Sequence, residues 1–179
     1  EIGTHAFHMA EFVSGLKVQK IYADVSSNYF SNIDDNANVL LRFEKSAQGS
    51  IWVSFSTVGG ESGLKFRING TKGTLEWLQD NPNEIRINKL RYPTQIITRG
   101  SSFVGNKANQ TSRISKGHPE GYFEAFANIY SDFANYISQK KSGFILTSNT
   151  FPTIEDGVRG VQFVSSAKIS SRLKKWVNI

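Results

Sequence analysis

Two of the chain's three histidines, His5 and His8, lie within its first eight residues, and the carboxylate of Glu1 precedes His5 by four positions. A carboxylate bonded to one ring nitrogen can orient a histidine that exchanges a proton at the other, an arrangement used in general acid–base catalysis. Thr4 is a preferred N-cap residue, and the apolar spacing after it predicts a helix over residues 5–16. The spacing therefore makes His5 and Glu1 candidates for a catalytic pair. The alternative, in which both histidines only cap or pack a helix, stays open at this point.

The same region does not predict a metal site. His5, His8 and Glu11 are spaced three residues apart, so the outer two lie well apart around a helix that turns by about 100° per residue. Zinc helices of the protease type place two histidines four residues apart, and the chain has no cysteine. We expect no bound metal.

The composition indicates one folded, soluble domain. The 179 residues suffice for a substantial core, and the contents of 39% hydrophobic and 12% aromatic residues are typical of globular proteins. No apolar run approaches the roughly 20 residues that a membrane helix needs, and no secretory signal is visible. We therefore expect a cytoplasmic protein without membrane contact. Because the sequence opens directly at Glu1 with no strand before it, we also expect a chain cut at a domain boundary.

The net charge of +6 is unevenly distributed. Residues 85–119 contain seven basic side chains and no acid, and five more basic residues follow Asp156 without an acid. Such a field can attract an anionic ligand or nucleic acid. These residues, however, are spread over predicted strands, a loop and a helix without a nucleic-acid-binding motif. We predict a solvated basic face and no nucleic-acid partner.

Alternating apolar residues predict six or seven strands, over residues 17–27, 37–44, 49–58, 64–69, 74–79, 84–89 and 95–99. Because short turns join them, neighbouring strands must be mostly antiparallel. We predict an α+β fold with a mostly antiparallel open sheet of about six to eight strands and helices packed on one face. A short last strand is expected near residues 174–177. The glycine-rich segment 70–73 lacks the spacing of a phosphate or dinucleotide loop, so it is predicted as a hairpin turn.

The polar stretch 101–117 is predicted as a binding loop or lid. It ends at His118, which precedes a helix predicted over residues 119–140. His118 is interpreted either as a ligand-facing group at the mouth of a site or as a surface or cap residue. The stripe that the 119–140 helix is expected to bury against the sheet is Tyr122, Phe123, Phe126, Ile129, Tyr130, Phe133 and Ile137. For the last helix, residues 154–173, the expected buried side is Val158, Val161, Phe163, Val164, Ala167 and Ile169.

Four motifs in this order resemble the C-terminal domain of the Gfo/Idh/MocA family. They are Glu-Ile-Gly-Thr-His at residues 1–5, Asn-Gly-Thr-Lys-Gly-Thr-Leu-Glu-Trp at 69–77, Gly-His-Pro-Glu-Gly-Tyr at 117–122 and Phe-Pro-Thr-Ile-Glu-Asp-Gly at 151–157. The resemblance covers essentially all 179 residues. It implies one α+β substrate-binding and oligomerisation domain over residues 1–179, the C-terminal half of a two-domain NAD(P)-dependent oxidoreductase that acts on sugars or cyclitols.

The resemblance also implies roles for single residues. Family members have an aspartate at the place of Glu1, which is one methylene longer, and a histidine at the place of His5 that acts as general acid or base on the substrate hydroxyl. The residues expected on the substrate side are His8, His118, Arg113 and Lys116. The Rossmann half that binds NAD or NADP is expected to be missing, so the isolated chain should bind no cofactor and be inactive. The implied partners are a small sugar or polyol and further copies of the protein, docked through the sheet face.

A second hypothesis belongs to another class of protein. In it, the chain is a non-catalytic module that uses the sheet face to bind a protein, and its histidines are structural. A dinucleotide-binding segment ahead of this chain would favour the oxidoreductase, and its absence would favour the interaction module.

Overall fold

The structure is a computed structural model that describes residues 1–30, 32–143 and 151–179. It has two compact units: Glu1–Glu61 with Thr153–Ile179, and Ser62–Pro152. Each unit contains an antiparallel sheet of four strands. The α+β class and the antiparallel strands are therefore confirmed, with the strands divided between two sheets. Among the described residues, no helix has the length and apolar character needed to cross a membrane.

The first sheet has the strand order β3-β2-β1-β8. Its strands are β1 Val18–Ser26, β2 Asn36–Phe43, β3 Gln48–Ser54 and β8 Val177–Asn178. A short 3₁₀ helix, Glu44–Ser46, joins β2 and β3 into the predicted hairpin. The pairing of β1 with β2 shifts register between Val18 and Lys20. This bulge interrupts the alternation of side chains, so Val18 and Ile21 are both buried.

Two helices, α1 (Ile2–Ser14) and α4 (Ile154–Leu173), pack against this sheet. The rings of Phe7 and Phe163 stack between the helices with their centroids 4.5 Å apart. The opposite side of the sheet carries exposed side chains such as those of Leu40 and Trp52. The hydrophobic core consists of Phe7, Val18, Ile21, Ala23, Val39, Leu41, Phe43, Ile51, Phe163 and Ala167.

The predicted buried side of α4 is partly wrong. Phe163 and Ala167 are buried as predicted. Three other predicted members are exposed by 38% to 68%: Val158, Val161 and Ile169. Their expected places are taken by small residues, since Gly160, Ser166 and Ser170 are buried.

Small side chains let α4 approach its neighbours closely. The Ser170 hydroxyl accepts a hydrogen bond from the amide of Ala23 in β1 at 2.9 Å and donates one to the Lys175 carbonyl oxygen at 2.7 Å. A Cβ on Gly160 would lie 3.8 Å from the Thr4 side chain of α1. Hydropathy periodicity does not detect this packing because the contacts depend on small size and hydrogen bonding.

The second sheet is a meander in the order β4-β5-β6-β7. Its strands are β4 Lys65–Gly70, β5 Gly73–Leu78, β6 Glu84–Lys89 and β7 Gln95–Thr98. Gly70 and Gly73 pair across the tight turn between β4 and β5. A Cβ on Gly73 would collide with the Asn88 carbonyl oxygen, so the residue is glycine where two backbones meet closely. The hairpin-turn prediction for residues 70–73 is confirmed.

Two helices follow in the second unit, α2 (Asn106–Thr111) and α3 (Tyr122–Lys141). Helix α2 lies inside the predicted loop, where the sequence lacks an apolar stripe. The prediction that α3 buries its aromatic stripe is wrong, because no residue of α3 is buried. The seven stripe residues range from 38% exposed at Ile137 to 81% at Phe123. Periodicity shows which side chains share a face of a helix, but it does not show that another layer covers that face.

Candidate functional site

The helix that carries His5 begins earlier than predicted. Glu1 is the N-cap residue of α1, so Thr4 lies inside the first turn and the prediction of Thr4 as the cap is wrong. The Thr4 hydroxyl donates to the Glu1 carbonyl oxygen at 2.6 Å, and the Thr4 amide donates to the same oxygen at 3.2 Å. A threonine inside a helix can bond back to a preceding carbonyl in this way, which competes with a capping role. The Glu1 side chain makes no cap hydrogen bond.

The two N-terminal histidines lie on the part of α1 that the core leaves accessible. Phe7 and Glu11 are the buried residues of the helix, one turn apart. His5 is exposed, His8 is half-buried, and Phe12 is 78% exposed. The rings of His8 and Phe12 have their centroids 6.3 Å apart. We call this surface, formed by His5, His8 and Phe12, the His5 face.

A buried ion pair fixes the core-facing side of α1. The Glu11 carboxylate accepts hydrogen bonds from Arg159 Nε at 3.1 Å, from Lys17 Nζ at 2.9 Å and from the Val18 amide at 2.8 Å. Arg159 also donates to the Val18 carbonyl oxygen at 2.9 Å, and its guanidinium lies 5.8 Å from the centroid of the Phe7 ring. A buried carboxylate needs such partners to offset the loss of water. The network joins α1, β1 and α4, and it therefore resists rotation of α1 about its axis.

The charges around α1 favour ionised carboxylates. Burial raises the pKa of Glu11, but hydrogen bonds from Arg159, Val18 and Lys17 outweigh it and hold the pKa below the ordinary value. The pKa of Asp156 is also lowered, first by the hydrogen bond from the Thr153 amide and to a smaller extent by the charges of Lys17 and His8.

In the second unit, Arg99 organises the loop that contains His118. The side chains of Arg99 and Glu120 are only 16% and 7% exposed, and Nη1 lies 2.7 Å from Oε2. The Arg99 guanidinium also donates from Nε to Asn83 Oδ1 at 2.9 Å, from Nη1 to the Ile114 carbonyl at 2.6 Å and from Nη2 to the His118 carbonyl at 2.7 Å. One guanidinium therefore binds both branches of the loop.

Glu120 completes this arrangement. Its carboxylate accepts the Arg113 amide at 3.0 and 3.1 Å and the Ile114 amide at 2.9 Å. Its carbonyl oxygen accepts from Asn83 Nδ2 at 3.1 Å. We call Asn83, Arg99 and Glu120 the Arg99 hub, and we call residues 112–121 the His118 loop.

The three predicted substrate residues of the second unit lie in the His118 loop. The side chains of Lys116 and His118 are exposed. Arg113 is also exposed, but its guanidinium donates to three groups on α3: Asn128 Oδ1 at 2.6 Å, the Ala127 carbonyl at 2.9 Å and Ser131 Oγ. Arg113 therefore joins the loop to α3, whereas Lys116 and His118 extend from it.

The predicted site residues thus fall into two groups. Glu1, His5 and His8 lie on α1 in the first unit, and Arg113, Lys116 and His118 share one loop of the second unit. No cluster of three or more metal-binding side chains occurs in the part of the chain that the structure describes. A cavity of about 240 Å³ in the first unit contains none of the six residues, since it is lined by Val161, Gln162, Ser165, Ser166, Asn178 and Ile179.

Buried charges that the sequence does not predict hold these groups in place. Glu11 lies four residues after Phe7 on the buried side of α1, and a carboxylate at such a position calls for a buried cation. Glu120 is the first acid after the acid-free stretch 85–119. A lone carboxylate beside seven basic residues is a signal of a specific partner, although the sequence does not say that the partner is Arg99.

A family model matches the first part of the chain, and a bacterial oxidoreductase matches nearly all of it. The family model of the GFO/IDH/MocA C-terminal domain matches residues 1–76. An uncharacterised oxidoreductase of Bacillus subtilis strain 168, YfiI, is 31% identical over 171 residues, which make up 93% of this chain and 44% of that protein.

Solved structures match the chain over almost its whole length. An oxidoreductase from Sinorhizobium meliloti has a TM-score of 0.93 and 42% identity, over 99% of this chain and 51% of that chain. An inositol dehydrogenase homologue from Azotobacter vinelandii, complexed with NADH and myo-inositol, has a TM-score of 0.92 and 30% identity, over 99% of this chain and 48% of that chain. The chain spans about half the length of each of these relatives.

Proposed function

Because the chain belongs to the Gfo/Idh/MocA family of oxidoreductases, we propose that it is the substrate-binding and oligomerisation domain of an NAD(P)-dependent sugar or cyclitol dehydrogenase. The observation that carries the proposal is its similarity over 99% of its length to a protein complexed with NADH and myo-inositol. The accessible His5 face gives this chain a group able to exchange a proton with a hydroxyl. The proposed enzyme acts in the cytoplasm.

The chemistry assigned to this chain is proton transfer. Oxidation of a secondary alcohol removes the hydroxyl proton and a hydride from the same carbon. His5 is the proposed general base that takes this proton, and it returns the proton as general acid in the reverse reaction. Glu1 is the proposed residue that orients the His5 ring. A nicotinamide, when bound, supplies the hydride acceptor.

The remaining site residues are proposed substrate contacts. His8 lies beside His5 on the same helix, and its partial burial limits the positions of its ring. Lys116 and His118 offer exposed donors that suit the hydroxyl groups of a polyol. Arg113 is the weakest candidate, because its guanidinium would have to exchange a bond to α3 for one to the substrate.

The residues of this chain do not fit a dinucleotide site. A dinucleotide fold requires a parallel sheet with a Gly-x-Gly-x-x-Gly turn that opens a helix. Both sheets described here are antiparallel, and residues 70–73 form a hairpin turn. We propose that NAD or NADP is bound by the part of the relatives that this chain does not match, so the isolated chain should be inactive.

The outer face of the first sheet is the proposed oligomer surface. Leu40 is 50% exposed and Trp52 is 59% exposed, on the side away from the core. Such aromatic and aliphatic exposure is typical of surfaces that bind another protein. The same observation supports the second candidate function, a non-catalytic interaction module.

Turnover by the full-length protein decides between the two functions. Reduction of NAD and of NADP should be measured against a panel of neutral sugars and cyclitols that includes myo-inositol. The proposal predicts saturable turnover of at least one polyol and none by this chain alone. If no polyol is oxidised while the protein still self-associates, the interaction module becomes the better account.

A further inference from the structure

We propose that Arg99 and Glu120 are positioning residues of the substrate site, and that they act by setting the backbone of the His118 loop. The inference rests on the proposed function, in which Lys116 and His118 contact the substrate. Neither Arg99 nor Glu120 touches the substrate in this account. Their effect passes through the loop.

The first support is the way in which Arg99 is bound. Its three nitrogen atoms contact the Asn83 side chain, the Glu120 carboxylate and the carbonyls of Ile114 and His118. The guanidinium is planar, so these bonds fix the direction of each carbonyl. One of these carbonyls belongs to His118, so the bond also orients the backbone from which the His118 side chain extends.

The second support is the role of Glu120. Its carboxylate accepts two consecutive amides, those of Arg113 and Ile114, at the start of the loop. Glu120 itself lies at the end of the loop, next to α3. The carboxylate therefore closes the loop between its two ends, and Lys116 and His118 lie in the segment thus closed.

The third support is the contrast with an ion pair between two strands of the second sheet. Arg67 and Glu76 pair at 3.2 Å, but their side chains are 62% and 32% exposed, and Arg67 donates to no loop carbonyl among the described contacts. Solvent screens such a pair. An arginine–glutamate pair in this unit is therefore not enough for positioning, and Arg67 supplies a matched control.

The test uses Arg99→Lys and Glu120→Gln in the full-length enzyme, with Arg67→Lys as control. Lysine keeps the charge of Arg99 but cannot reproduce its planar set of donors. We expect KM for the polyol to rise about tenfold in both hub variants, with kcat within about threefold of the wild type, and no change in Arg67→Lys. The amides of Arg113 and Ile114 should exchange hydrogen at least tenfold faster in Glu120→Gln.

A double-mutant cycle with His118→Ala separates positioning from general stability. If Arg99 acts through His118, Arg99→Lys should raise KM much less in the His118→Ala background than in the wild type. Additive effects on KM, or the same KM rise in Arg67→Lys, would overturn the proposal. Unchanged amide exchange at residues 113 and 114 would overturn it whatever the activity. If the wild type oxidises no polyol, the proposed function is wrong, and so is the substrate role of the His118 loop. Amide exchange would still show whether the Arg99 hub orders the loop.

Discussion

The first unit buries ten hydrophobic side chains in one cluster, whereas no hydrophobic residue described between 62 and 152 is buried. The two units differ less in the burial of their charged side chains than in the burial of their apolar ones. The side chain of Glu11 in the first unit is 6% exposed and that of Glu120 in the second is 7% exposed. Both carboxylates have an arginine partner, but only Glu11 lies beside a hydrophobic core. The proposed site residues on α1 are therefore held by a hydrophobic core and an ion pair, whereas those in the His118 loop are held by polar contacts alone.

Because of this difference, substitutions in the first unit should mainly affect global stability, and those in the second should mainly affect the geometry of the His118 loop. Side chains that support α1 are packed or paired against β1 and α4, so their removal should reduce the free energy of unfolding. The His118 loop depends on a polar hub in a unit without a buried apolar cluster among its described residues. Its substitutions should affect local order and substrate binding more than global stability.

The largest expected contrast concerns two phenylalanines. Phe163 is 3% exposed and stacks on Phe7, while Phe123 on α3 is 81% exposed. Phe163→Ala should lower the free energy of unfolding by about 3–5 kcal/mol through lost contacts and a cavity. Phe123→Ala should change it by less than about 0.5 kcal/mol. Denaturant titration of both variants measures this, and a large cost for Phe123→Ala would mean that another surface covers α3.

The next effect is the pH dependence supplied by Glu11. Its pKa is lower in the folded state, so the ionised carboxylate stabilises the fold above its unfolded pKa of about 4.3, and this stability is lost as the pH falls through the folded pKa. Glu11→Gln should destabilise by about 3 kcal/mol at pH 7, because a buried ion pair loses one partner. The difference from the wild type should shrink as the pH falls below about 4.3 and through the lower folded-state pKa of Glu11.

The matched control for Glu11 is Glu76, which pairs with Arg67 in the second unit at 32% exposure. Glu76→Gln should cost less than about 1 kcal/mol at pH 7, as is usual for exposed ion pairs. Denaturant titrations at several pH values give both results. A pH-independent cost of Glu11→Gln would show that its shape, rather than its charge, stabilises α1.

A smaller effect distinguishes the starts of α4 and α3. Thr153 caps α4 with its hydroxyl 3.4 Å from the Asp156 amide, whereas α3 begins after Gly121, whose amide donates to Glu124 at 2.9 Å. Thr153→Ala should cost about 1 kcal/mol, and Thr153→Ser should restore most of it. Gly121→Ser should gain only a few tenths of a kcal/mol. Thermal unfolding of the three variants checks the order, which equal effects at both helices would contradict.

The sequence predicts the elements of the fold better than their packing. Gly15 ends α1 in the left-handed conformation with φ of 64°, as its position suggests. Strand β2 follows the predicted alternation, with Val39, Leu41 and Phe43 buried, because burial on one face of a sheet imposes a period of two. Thr4, by contrast, is equally suited to a cap and to a bond inside the first turn, and the backbone before it decides between them.

The site is predicted less completely than the fold. The structure places His5 in the first turns of α1 and His118 shortly before α3, while the roles assigned to them stay predictions. The arginine partners of Glu11 and Glu120 come from positions 148 and 21 residues away in the chain, namely Arg159 and Arg99. Such pairings depend on tertiary structure, so spacing along the sequence does not contain them.

Turnover of the full-length protein carrying His5→Ala tests the central claim most directly. The side chain of His5 is exposed, so the variant should keep its free energy of unfolding within about 0.5 kcal/mol. If His5 is the general acid–base group, kcat for the preferred polyol should fall a hundredfold or more. Wild-type turnover by a folded His5→Ala variant would contradict the assignment and leave His5 as a surface residue at the start of α1.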